Sequence, residues 1–244
     1  CWLERSPRLG TPPFDGEALF LRCLSMIQDM EVAEALFSGE KPKGALRVDV
    51  HGTLARHFLM PRLPRFLRAY PDIELYMSEG DRFSDVIREG IDCVIRVGTP
   101  NSEELVAKQI ALLEEVTVAS SEYLNEFGIP SNINELTNHN VVGFRSTGSS
   151  VAMPLEFSIE NTIKTISPQA SLTVNAAETL VAAARLGLGI VQVPRYHVQS
   201  DIKNGTLIPI LEEHPPTPSP VPILYPQNSQ HASRVKVFID RYEP

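Results

Sequence analysis

From Ala45 onward, short runs rich in Val, Ile and Leu alternate with segments of helical pattern, and this rhythm constrains the fold more than any other feature. "LRVDV" (46–50), "IELYM" (73–77) and "DCVIRV" (92–97) are predicted strands, the last of them buried. "LARHFLMPRLPRFLRAY" (54–70) and "FSDVIREG" (83–90) are predicted helices. Pro61 and Pro64 fall inside the first helix, so a kink or early turn is expected, because an internal proline removes a donor and clashes with the preceding turn. Gly90 closes the second helix. Strand–helix–strand units of this kind build a parallel sheet, here an α/β sheet with helices on both faces.

The pattern continues with strands at "LVAKQIAL" (105–112) and "EVTVAS" (115–120), then a helix from Ser121 to Phe127. "NVVGF" (140–144) and "AMPLEFSI" (152–159) are expected as strands of a second sheet. "VNAAETLVAAARLGLGIVQVP" (174–194) reads as strand, helix, Gly-Leu-Gly and strand. A dinucleotide fingerprint needs its glycines between a strand and the following helix. Gly187 and Gly189 come after the helix, so Gly187 reads as a left-handed cap and Gly189 as a tight turn. A helix at 195–203, a strand "LIPIL" (207–211), a strand "VPILYP" (221–226) and a helix at 230–242 complete the chain. "HPPTPSPVP" (214–222) reads as an irregular crossing segment.

Ahead of this region, residues 1–14 are irregular and carry Arg5 and Arg8, and a helix is predicted from Asp15 to Phe37. Leu19, Cys23, Met26, Met30, Ala33 and Phe37 form a heptad seam, with Glu17, Arg22, Gln28, Asp29 and Glu31 opposite. The helix either lies on its own domain or pairs with a second subunit; "SGEKPKG" (38–44) detaches it and favours pairing. The net charge of −8 argues against a chain whose main surface grips nucleic acid. Three scattered cysteines without metal spacing point to a reduced, cytoplasmic protein, and no apolar run is long enough to cross a membrane. No cofactor motif, metal motif or catalytic constellation is present: the six histidines are scattered, and Glu103–Glu104 and Glu114–Glu115 read as solvated turns.

Four segments together resemble the LysR-type transcriptional regulators. "LERSPRLGTPPFDGEAL" is similar to the wing of that family's winged helix-turn-helix running into its linker helix. "GALRVDVHGTLARHFLMPRLPRFLRAYPDIELYMSEG" is similar to the first strand, helix and second strand of the effector domain. "EGIDCVIRVG" is similar to the third strand, and "VNAAETLVAAARLGLGIVQVP" to a helix and strand lining the second lobe. The resemblance implies a two-lobed, type 2 periplasmic-binding-protein-like α/β fold. Lobe I would comprise residues 45–119 and 222–244, and lobe II residues 120–215. Residues 1–14 would be the remnant of a DNA-binding domain and 15–44 the linker and dimerisation helix. It also implies a small organic effector between the lobes, promoter DNA as partner of the whole regulator, and self-association as dimer or tetramer. The recognition helix is expected upstream of Cys1, leaving Arg5 and Arg8 as DNA phosphate contacts. Pro13 stands where the family usually has a threonine cap, which leaves Thr11 or Asp15 to cap the linker helix. A solute-binding protein of the same fold is the alternative.

Candidate effector contacts follow from the rule that ligands of α/β sheets lie beyond the carboxyl ends of parallel strands. Gly52 and Thr53 begin a helix after the first strand, and Asn175 begins another in the second lobe. Free amides at such starts favour anions. Arg96 stands near the end of its strand, where it would pair either a ligand carboxylate or a nearby acid. Gly98 permits close backbone approach there. Arg145 and Ser146 follow "VVGF", and Gln192 ends the last cleft strand.

Overall fold

The computed structural model describes residue 23 and residues 41–80, 90–100, 105–146, 149–160, 162–227 and 232–242. In chain order the strands are β1 (Gly44–Val50), β2 (Ile73–Glu79), β3 (Cys93–Ile95), β4 (Leu105–Leu113), β5 (Glu115–Ser120), β6 (Val141–Phe144), β7 (Leu155–Ile159), β8 (Thr162–Ile166), β9 (Ala170–Val174), β10 (Val191–Pro194), β11 (Leu207–Pro209) and β12 (Ser219–Pro226). The α-helices are α1 (Gly52–Leu54), α2 (Leu63–Ala69), α3 (Ser121–Phe127), α4 (Ala177–Arg185), α5 (Arg195–Asn204) and α6 (Ser233–Tyr242). Two compact units result: Cys1–Arg96 with Pro100–Ile110 and Pro222–Pro244, and Val97–Thr99 with Ala111–Val221.

The first unit is built on a sheet of order β2-β1-β3-β12-β4. β1 runs parallel to β2 and β3, as the strand–helix rhythm requires, while β12 is antiparallel to β3. Leu46, Val48, Val50, Cys93, Val94 and Ile95 are buried in it. Burial, with Asp92 beside it, pushes the Cys93 thiol up, so it stays neutral and behaves as an apolar core group. The Pro61–Pro64 helix breaks as expected. α1 passes into a π-helix at Ala55–Leu59, where the Met60 amide donates to the Ala55 carbonyl at 2.9 Å, and α2 starts afresh with Pro64 in its first turn. From α6, Phe238 meets Phe66 edge to face with ring centroids 5.6 Å apart, and the Tyr242 hydroxyl donates to the Leu59 carbonyl at 3.4 Å.

Two expectations need correction here. The strand predicted at 92–97 ends at Ile95. The proline-rich segment 214–222 is not irregular throughout, since β12 begins at Ser219. Pro220 and Pro222 lack amide donors, but the strand asks only for their carbonyls, which accept from the Gly98 and Arg96 amides at 2.8 and 3.4 Å. The helix expected at 83–90 lies outside the described residues except for Gly90, whose φ is 62°.

The second unit holds a β10-β5-β11 antiparallel sheet, a parallel β6-β9 pair and a β7-β8 hairpin. Val116, Val118, Val191, Val193 and Leu207 form one core with Leu180, Val181, Ala183 and Ala184 of α4 and Val198 of α5. β5 is the centre strand of this sheet, so it belongs here and not with residues 45–119, where the sequence reading placed it; the chain changes unit inside β4, at Ile110–Ala111. β6 and β7 do not share a sheet either. β6 pairs β9, and β7 pairs β8, an exposed strand with no apolar face to announce it.

Gly-Leu-Gly closes α4 with two nested bonds. The Gly187 amide donates to Ala184 at 3.0 Å and the Leu188 amide to Ala183 at 3.1 Å, with Gly187 at φ 70°. Gly189 answers a different need, because a Cβ there would stand 2.6 Å from the Asn140 carbonyl oxygen.

Candidate functional site

In the first unit, the carboxyl ends of the parallel strands present His51–Thr53, Glu79 and Arg96. His51, not Thr53, is the N-cap of α1, and no side chain makes the capping bond. Thr53 is buried, and its Oγ1 lies 2.8 Å from His51 Nδ1. A side chain at Gly52 would collide with the Glu79 carboxylate and crowd the Arg56 guanidinium. Arg56 and Glu79 pair at 2.8 Å, so the acid beside this helix start is neutralised by the next turn.

Arg96 is engaged inside the protein. Its Nη2 donates to Asp49 Oδ1 and its Nη1 to the Ile95 carbonyl at 3.1 Å, while Ser78 Oγ donates to Asp49 Oδ2 at 2.7 Å. Arg96 is 2% exposed and Asp49 6%. Of the two roles open to Arg96 in the sequence, pairing a nearby acid is therefore occupied. Gly98 adopts φ 103°, has open space where a Cβ would stand, and donates its amide to Pro220.

In the second unit the fold brings three candidates from distant sequence together. β6 and β9 are parallel, with Phe144 opposite Val174, so Arg145–Ser146 and Asn175 leave the sheet side by side. The Arg145 amide donates to the Val174 carbonyl at 2.8 Å, which fixes that junction. The Arg145 and Asn175 side chains are exposed, and Ser146 is half-buried. Asn175 does not cap the helix. Ala176 does, without a side-chain hydrogen bond, and the first internal bond of α4 runs from Leu180 to Ala176. The amides of the first turn thus keep their donor character toward whatever sits there. Glu178 in that turn adds a negative charge.

Gln192 serves the architecture. Its Oε1 accepts from the Glu156 amide at 2.9 Å, and its Nε2 donates to the Glu156 carbonyl at 2.8 Å and to Thr117 Oγ1 at 3.0 Å. Glu114 is exposed and pairs with Arg195 at 2.7 Å. Its neighbour Glu115 is not the solvated turn residue of the sequence reading: it is half-buried and hydrogen-bonded to the Ser219 side chain. Arg5, Arg8 and the seam residues other than Cys23 lie outside the described residues; Cys23 is helical and exposed. Among the described residues no group of three or more His, Cys, Asp or Glu side chains is placed to hold a metal ion, and no helix is long and apolar enough to cross a membrane.

A model of the LysR substrate binding domain matches residues 39–243. An uncharacterized HTH-type transcriptional regulator of Escherichia coli strain K12, YhjC, is 32% identical over 241 residues, covering 97% of this chain and 80% of its own. The transcriptional activator AaeR of the same strain is 28% identical over 243 residues, covering 98% and 77%. Among solved structures, the LysR-type regulator CrgA of Neisseria meningitidis superposes with a TM-score of 0.72 at 28% identity, covering 98% of this chain and 82% of that one.

Proposed function

The chain belongs to the LysR substrate-binding domain family, whose members respond to small molecules, bind DNA and form oligomers, and from that premise we propose that its own effector is a small organic anion. The type 2 periplasmic-binding-like fold and relatedness to transcriptional regulators along nearly the whole chain favour a ligand-responsive regulator over a solute-binding protein. A cytoplasmic location, and promoter DNA as the partner of the whole regulator with Arg5 and Arg8 on its phosphates, belong to the same reading.

One observation carries the anion: an exposed guanidinium, Arg145, stands at the same strand ends as the uncapped start of α4. A guanidinium pairs a carboxylate through two parallel hydrogen bonds, and helix-start amides add to the same field. Ser146 and Asn175 supply neutral hydrogen bonds that orient the ligand. In the first unit Thr53 is the corresponding candidate, with Gly52 keeping the turn narrow, and Gly98 is a further candidate in the Val97–Thr99 stretch of the second unit. Arg96 and Gln192 act indirectly, by holding the strands that carry these groups.

Thermal shift with sodium benzoate, succinate and acetate tests the reading, because a ligand that binds the native state raises its melting temperature. At least one of these anions is expected to stabilise the protein, and Arg145→Ala to weaken that binding by about 10–100-fold, the worth of a charge-assisted hydrogen bond. Stabilisation by the neutral amides of the same acids alone, or equal anion binding by Arg145→Ala, overturns it.

A further inference from the structure

Asn204 is the last residue of α5, and Gly205 follows it at φ 78°, the left-handed angle that ends the helix. Both are exposed, and no non-adjacent atom lies within 4 Å of where a Cβ on Gly205 would stand. The Thr206 amide donates to Asn204 Oδ1 at 3.0 Å. The ring closed by that hydrogen bond contains both the Asn204 carboxamide carbon and the Gly205 nitrogen, so the two are held in one short loop. We propose that this junction is a self-modification site, at which Asn204 of the native chain deamidates through a cyclic imide.

The reaction needs only water and hydroxide. The Gly205 nitrogen gives its proton to hydroxide and attacks Asn204 Cγ; the bond from Cγ to the side-chain nitrogen breaks, and that nitrogen takes a proton from water and leaves as ammonia. Water then opens the imide at either carbonyl, giving aspartate or isoaspartate. Negative charge gathers on Oδ1 during the attack, and the Thr206 amide already donates to that oxygen. The bond given up is the one from the Gly205 amide to the Ile202 carbonyl, which at 3.3 Å is longer than the usual range. Asn132 supplies an internal contrast. Its Oδ1 accepts from the Asn134 amide at 3.0 Å, but the nitrogen between them belongs to Ile133, which is branched and buried. At Asn204 the glycine leaves the attacking nitrogen uncrowded. The product bears on the sheet, because isoaspartate adds a carbon to the main chain just before β11, where Leu207 is in register with Ser120 and the Thr206 carbonyl accepts from the Ser121 amide. Either product also places a carboxylate at the C-terminal end of α5, where the helix dipole opposes it.

The test is to age the full native chain in mildly alkaline buffer and follow each asparagine by peptide mass mapping, with isoaspartate scored by enzymatic methylation. Asn204 is expected to convert first, with Asn132 intact, at a rate that rises in proportion to hydroxide. In Thr206→Pro, which has no amide hydrogen to donate, conversion should slow by at least about tenfold, less than in a water-excluded oxyanion hole because the site is exposed. A second comparison needs no variant to fold: Asn204 should convert at least as fast in the native chain as in the same chain unfolded in urea. Conversion of Asn132 or another asparagine ahead of Asn204, a folded Thr206→Pro that ages like the parent, or faster conversion in urea than in the native chain overturns the proposal.

Discussion

Arg96 shows what a single residue withholds from a sequence reader. Its place near a strand end is visible in the sequence, but its partner is not, because Asp49 lies on another strand and meets it only through the β1–β3 pairing. Both charges are buried, so removing one strands the other in a medium that solvates it poorly. Arg96→Leu is expected to destabilise the protein by about 3–5 kcal/mol in chemical denaturation, the usual penalty for halving a buried pair. Arg96→Lys keeps the charge but loses the fork that reaches Asp49 and the Ile95 carbonyl together, so it should fall between the two. A variant as stable as the parent would return Arg96 to the effector candidates. Gly52 is similar: its lack of a side chain was legible, whereas the Glu79–Arg56 pair that needs the space was not.

At the scale of elements, what the sequence revealed follows burial. α3 is visible to the residue because Ser120, Tyr123 and Leu124 give a cap and an apolar stripe, with the Tyr123 amide donating to Ser120 Oγ at 3.1 Å. Gly187 was legible as the cap of α4 because few residues other than glycine adopt its backbone angles. β8 was invisible, since "TIKTI" is almost wholly exposed and pairs only with β7. That hairpin is held by Leu155 and Phe157, buried against Ala119 and Ile210, and by Gln192, a polar role without any sequence signature. Gln192→Leu removes the side chain that bonds the part-buried Glu156 amide and carbonyl, at up to about 1–3 kcal/mol for each group. The expected result is a lower melting temperature together with early exchange of β7 and β8 amides. A drop in stability without that local signature would place the role of Gln192 elsewhere.

For the whole molecule, the rhythm of strands and helices disclosed the α/β class, and the family resemblance disclosed two units. The point at which the chain passes between them was not readable, because β5 has the composition of a strand for either sheet. The candidate site was half legible: residue types at strand ends could be named, but the adjacency of Arg145 and Asn175 depends on the parallel β6–β9 pairing across about thirty residues of sequence. The division of the chain also has a chronology. Apart from Val97–Thr99, the second unit is one continuous stretch, whereas the first waits for Ile223 and Leu224 of β12 and Phe238 of α6 to fill its sheet and core. During synthesis the second unit can therefore finish while the first is still missing a strand from the interior of its sheet. In refolding monitored by pulsed hydrogen exchange, amides of β5, β10 and β11 should be protected before those of β1 and β3. The reverse order would mean that β1 to β3 hold together without their late-arriving neighbour. If the expected order holds, each new copy assembles its second unit first and closes its first only after residues 222–242 have emerged.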